Sequence, residues 1–139
     1  MYLTYDEYIA YGGTLDETTF NDFNFEAESI VNYFTFNRLV HENEISENIK
    51  RCVYKLINIA KQKADALTLG ASATGESNSN ACITSQSNDG VSISYNALSA
   101  SELFQSSDKE MQSLVNKYLQ GVRNSLGQIV LYRGLYPNE

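Results

Sequence analysis

"DETTFNDFNFEAESIVNYF", Asp16 to Phe34, is the stretch whose reading decides the fold. Phe20, Phe23, Ala27, Ile30, Val31 and Phe34 recur at three- and four-residue steps, which gathers them on one side of a helix. Asp16 stands just ahead of them as an N-cap. The stripe is wide and aromatic, so it predicts a long helix at the centre of a hydrophobic core. Such a face must be covered by other elements, and the flanking sequence supplies them.

Upstream, Thr4 and Glu7 form Thr-x-x-Glu, a capping box that starts a short helix carrying Tyr5, Tyr8 and Ile9. Gly12-Gly13 stops it. Downstream, Arg38 to Ser46 is polar and breaks the pattern. A third helix is predicted from about Ser46, with Ile49, Cys52, Val53, Leu56, Ala60, Ala64 and Leu67 on one face. Lys50, Arg51, Lys55, Lys61 and Lys63 mostly take the other side. A solvated helix face accounts for them, and a basic patch that docks on an acidic neighbour is the functional alternative. Ser107 and Glu110 make another capping box, and Met111, Leu114, Val115, Tyr118, Leu119 and Val122 define the last helix. The predicted core is Phe20, Phe23, Ile30, Phe34, Val53, Leu56, Leu114, Tyr118 and Leu119.

Between the third and last helices the chain changes character. GASATGESNSNA, from Gly70 to Ala81, is small, polar and without period, and reads as part of a flexible loop over 70–82. Residues 83–96, "ITSQSNDGVSISYN", flank Asn88-Asp89-Gly90 with two short alternating runs, the chemistry of a tight hairpin. Ile83, Val91, Ile93 and Tyr95 form its apolar side, and Asp89 is its one charged residue. A lone hairpin has little stability of its own, so this one must rest on its own helices, a neighbouring copy or another partner. The tail QIVLYRGL reads as a short strand ending before Pro137. The fold class is therefore mainly α: a small bundle of about four helices with one β-hairpin and a short C-terminal strand, in a single domain over 1–139.

Charge and composition narrow the function. The 139 residues carry a formal net charge of −7 and are 42% hydrophobic, with ten Tyr and six Phe. An acidic surface repels phosphate backbones, which argues against gripping nucleic acid but not against letting DNA pass. Tyrosine tolerates half burial with its hydroxyl in water, which suits both a core edge and an interface. The start, MYLTYDEYIAYGG, lacks a basic, apolar signal pattern, and no run reaches the length of a membrane span. A soluble chain, in the first instance cytoplasmic, is expected.

Catalytic signals are weak. Cys52 and Cys82 have neither metal nor redox spacing, and reduced thiols are expected in cytosol. His41 stands in the polar connection without further ligands, and pairing with Cys52 would need a thiol that lies on a core stripe. Glu42, Glu44 and Glu47, like Asp16, Glu17 and Asp22, are mostly explained by helix starts. The reading is a protein that is not an enzyme and holds no cofactor and no metal.

The order of the segments carries a resemblance. "YLTYDEYIAYGGTLDETTFNDFNFEAESIVNYFTFNRL" at the start resembles the opening of the head–tail connector proteins, or adaptor and head-completion proteins, of long-tailed bacteriophages and prophages. "VSISYN" and "VNKYLQGVRNSLGQIVLYRGL" are similar to the end of that family, with its Leu-Tyr-Arg-Gly close. The resemblance implies a homo-oligomeric ring, a dodecamer, below the portal of the filled capsid. There it would extend the DNA channel, with DNA only as cargo. Its partners would be itself, the portal protein, and the next head–tail connector or tail terminator protein. Its location would be the virion junction, and the host cytoplasm during assembly, with no membrane contact. Candidate interface residues are Lys50, Lys55, Lys61, Asp89, Val91, Ile93, Tyr95, Tyr132 and Arg133. The acidic segments Asp16 to Asp22 and Glu42 to Glu47 offer the lysine-bearing helix a complement, as the two unlike faces of a ring require. The alternative is a small non-enzymatic bacterial adaptor or regulatory protein.

Overall fold

The computed structural model describes residues 1–73, 85–88, 91–94 and 100–137, and it is mainly helical. The helices are α1 (Tyr5–Ala10), α2 (Glu17–Phe34), α3 (Glu47–Ala73) and α4 (Ala100–Leu119). The chain, expected as one connector domain, falls into two compact units. One comprises Met1–Asn58 with Met111–Glu139, and the other Ile59–Glu110.

The first unit is organised around Tyr8. The capping box starts α1: Glu7 N–H donates to Thr4 Oγ1 at 3.3 Å and Thr4 N–H to Glu7 Oε2 at 3.0 Å. Gly12 turns the chain with φ +92°, and a Cβ at Gly13 would strike the Tyr8 ring. That close approach seats Tyr8 with no exposed surface, its ring 4.9 Å from Phe20 and 5.7 Å from Tyr54. The Tyr8 hydroxyl oxygen accepts from the N–H groups of Thr14 and Leu15 at 3.2 and 3.4 Å, so the buried phenol is satisfied.

α2 begins where Asp16 accepts from Thr19 N–H, and it buries Phe20, Asn24, Ala27 and Val31. Of the expected core, Phe20, Val53, Leu56 and Leu119 are buried. Phe23, Ile30, Phe34, Leu114 and Tyr118 are only half-buried. Their places are taken by Leu3, Leu39, Ile57, Val115 and Val130, three of which lie outside any helical stripe. The N-terminal residues form a strap on α2. Tyr2 N–H donates to Glu28 and its hydroxyl to Asn32, and Asn24 Nδ2 donates to Leu3 O at 3.4 Å. Burial, with Glu28 nearby, pushes the Tyr2 phenol up to about 12.

In the second unit, Ile59, Ala60 and Ser107 are buried and Lys63 lies 3.8 Å from Asp108. Two helix boundaries differ from expectation here. α3 continues through Gly70 to Ala73, where a loop was expected; Ala71 and Ala73 offset the modest cost of one glycine. The remainder of the expected loop, 74–82, lies outside the described residues. α4 starts at Ala100 rather than at Ser107, because no breaker stands between them and Ser107 is accommodated inside the helix.

The β elements are reduced. Ser85–Asn88 and Val91–Ser94 pair antiparallel, Ser85 opposite Ser94 and Asn88 opposite Val91. Two four-residue strands rich in Ser do not amount to the expected hairpin over 83–96, whose turn at Asp89-Gly90 and whose flanks lie outside the described residues. The expected C-terminal strand does not form. Arg123 and Ile129 make an isolated bridge, and the rest of the tail runs in turns. The reason is a competing partner: the Arg38 guanidinium takes the carbonyls that a ladder would have used. It donates to Val130 O at 3.4 Å, to Tyr132 O, and to Gly134 O at 2.8 Å.

Candidate functional site

Two recesses open on the first unit, lined by different residues. The first gathers Ala10, Tyr11, Arg51, Tyr54, Lys55 and Tyr118 around about 440 Å³. Tyr11 reaches it as the C-cap of α1, and the cations and remaining rings come from successive turns of α3 and from α4. Arg51 lies over the Tyr11 ring at 5.1 Å and donates through Nε to Glu47 at 2.9 Å. The Tyr11 hydroxyl donates to the same carboxylate at 2.9 Å. Lys55 Nζ lies 5.9 Å from the Tyr54 ring centre and has no carboxylate partner among the described residues. The result is a cationic cleft with tyrosine walls, suited to an acidic group carried beside a planar one.

Lys50 does not share that freedom. It is ion-paired with Glu7, both half-buried, and this hydrogen bond is the main reason the Glu7 carboxyl is held below its ordinary value. Lys61 lies half-buried in the second unit with contacts of its own. The acids expected as its complement are partly engaged within the chain. Glu42 accepts from Ser125 N–H and Oγ, the latter at 2.8 Å, and so holds the loop before Gly127. Glu47 is shared by Arg51 and Tyr11, as above.

The second recess, about 450 Å³, lies at the end of α2 and is lined by Asn32, Tyr33, Phe34, Phe36, Asn37, Gln112, Asn116, Leu131 and Arg133. Its shape is set by how α2 stops. Asn37 N–H returns to Asn32 O at 2.9 Å and Phe36 N–H reaches Tyr33 O at 3.5 Å, the paired closure that normally places glycine at the left-handed position. Here Phe36 occupies it with φ 53°, followed by Asn37 at 59°. A bulky residue in that region is strained. The strained residue is also exposed: Phe36 is 53% accessible, beside Tyr33 at 77%. Arg38 stacks over Phe36 at 5.2 Å and over Tyr136 at 5.0 Å, which joins this end of α2 to the tail. Tyr132 lies 5.1 Å from Tyr136 and is half open, and Leu135 is almost fully exposed.

Of the nine expected interface residues, the structure brings Tyr132 and Arg133 to the second recess or its margin and Lys55 to the first. Asp89 and Tyr95 lie outside the described residues, and Val91 and Ile93 are described only as strand positions. Sequence reasoning missed Tyr11, Tyr54, Phe36 and the outward Tyr33. Tyr33 and Phe36 had a visible signal: neither fits the stripe of Phe20, Ala27 and Val31. The convergence of Tyr11 and Tyr54 depends on tertiary contact and had none.

Cys52 is a free thiol with no exposed surface, and burial pushes it up to about 12, where it is a poor nucleophile. His41 is exposed, and among the described residues no cluster of His, Cys, Asp and Glu is placed to hold a metal ion. No described helix is long and apolar enough to cross a membrane. The chain matches no family model, no curated protein and no solved structure.

Proposed function

We propose that this chain is a structural protein of the head–tail junction, a connector whose copies form a ring beneath the portal and offer a docking face to the tail or to the next connector. The observation that carries this reading is the strained, exposed aromatic edge at the end of α2. Phe36 is held left-handed where glycine would relax the turn, and it stands in a recess with Tyr33 and Arg133. Strain retained on an exposed aromatic is better explained by a binding surface than by stability. Arg133 adds a guanidinium with no hydrogen bond or ion pair among the described residues, and it belongs to the Leu-Tyr-Arg-Gly close on which the resemblance rests. The cationic tyrosine cleft supplies a second, unlike face, as head-to-tail rings need.

The test is assembly on a bacteriophage portal. Purified protein mixed with portal rings should sediment with them at fixed stoichiometry, and electron microscopy should show an added ring on the DNA channel. Phe36→Ala with Arg133→Ala should weaken that binding by about tenfold or more, the scale of one lost hot spot. A chain that never associates with portal, and whose deletion leaves heads and tails joined, has some other role.

A further inference from the structure

We propose that one copy of the chain docks on the next through the outward ridge of α2, with Asp22, Phe25 and Glu26 entering the cationic tyrosine cleft. This rests on the ring reading above and adds to it the two faces that meet.

The cleft is incompletely satisfied in a single copy. Among the described residues Lys55 has no acidic partner, and Arg51 spends only its Nε on Glu47, with no hydrogen bond from its two terminal nitrogens. The hydroxyls of Tyr54 and Tyr118 make no hydrogen bond among the described residues. Five donor groups therefore surround a space of about 440 Å³ with aromatic walls, room enough for a phenyl ring. Their chemistry asks for carboxylates carried beside an aromatic side chain.

α2 presents that combination on its outer side. Phe25 is 75% exposed, an uncommon position for a phenylalanine; Asp22 stands one turn before it, and Glu26, beside Phe25 in the chain, faces Asp22 at four-residue spacing. Neither acid is hydrogen-bonded or ion-paired among the described residues. The same chain thus carries an acidic aromatic ridge and a basic aromatic cleft. With a net charge of −7, two copies repel at long range, so association has to come from a local match of opposite patches. A ridge in a cleft is a heterologous contact. It repeats from copy to copy and gives a ring if the rotation closes or a filament if it does not.

The experiment uses two variants and analytical ultracentrifugation at low salt. Arg51→Ser with Lys55→Ser opens the cleft but keeps the ridge, and Phe25→Ser removes the ridge but keeps the cleft. Wild-type protein should self-associate with rising concentration, and each variant alone should do so at least about tenfold more weakly. An equimolar mixture should give a one-to-one complex and nothing larger, because only one intact ridge and one intact cleft remain. Helical circular dichroism verifies folding, and Lys55→Glu with Asp22→Lys serves as a second pair if either variant unfolds. Wild-type protein that stays monomeric to about 1 mM overturns the proposal, since a contact weaker than that supplies under about 4 kcal/mol. So does a mixture that forms no complex, or variants that associate like wild type. If the variants still build portal-bound rings, the connector reading stands and only this pairing of faces falls.

Discussion

α2 carries aromatic residues on two sides, and their surroundings could hardly differ more. Phe20 has no exposed surface and sits within ring-contact distance of Tyr5 and Tyr8. Phe25 and Tyr33 are about three-quarters as accessible as in an extended chain. Residue type is the same on both sides, so hydrophobicity alone does not say which face is core. The inner face is small between its aromatics, with Ala27 and Val31, and this lets neighbouring elements approach closely. The outer face mixes aromatic with acid, as in Asp22, Phe25 and Glu26, which keeps it soluble until something covers it.

Truncation on each side of α2 should have very different costs. Phe20→Ala should cost roughly 3–5 kcal/mol, because it deletes a fully buried ring from a packed cluster. Phe25→Ala should change stability by no more than about 0.5 kcal/mol. Denaturant melts of the two variants decide the point. Equal losses would mean that the outward ridge is also core, and that the docking proposal has lost its free surface.

A smaller effect is expected where α2 meets the tail. Arg38→Ala removes a guanidinium that holds three carbonyls and lies between two aromatic rings. A loss of about 2 kcal/mol is expected for charge-assisted hydrogen bonds of partial exposure. Hydrogen exchange should sharpen the assignment: the amides of Val130 and Tyr132 should open faster, while those of α2 keep their protection. Uniform loosening would instead make Arg38 part of the global core.

The smallest effect carries an unusual sign. Phe36→Gly relieves a left-handed phenylalanine, worth about 1–2 kcal/mol, and gives up a cation–π contact worth about 0.5–1 kcal/mol. The net should be a slight gain of stability, up to about 1 kcal/mol, read as a raised melting temperature, alongside weaker portal binding. A clear destabilisation would show that Phe36 supports the fold and is not held for a partner.

Much of this was legible from local pattern. Both early caps, the glycine stop after α1, the stripe of α2 and the buried line of α3 follow from contacts within one or two helical turns, so the sequence displays them directly. The failures share a cause. Ser107 and Glu110 form a valid capping pair on paper, yet a helix that can propagate upstream from Ser107 to Ala100 does so. QIVLYRGL has the composition of a strand, but strand formation needs a partner edge, and a distant arginine claimed its carbonyls first. Half of the predicted core is only half-buried because a stripe identifies a face without saying how deep each position lies.

Local pattern alone sets the helical class, the places where helices begin near Thr4 and Asp16, and the gathering of basic residues on α3, since each depends on neighbours a few residues away. Tertiary packing settles that Lys50 is occupied by Glu7 while Lys55 has no carboxylate partner among the described residues, and that Tyr11, Tyr54 and Tyr118 meet around it. It also brought Tyr33 and Phe36 together with Arg133 around one recess. The physical reason is the range of the interactions. Capping and periodicity act along the chain, whereas a cleft exists only where elements distant in sequence pack and leave some side chains without partners.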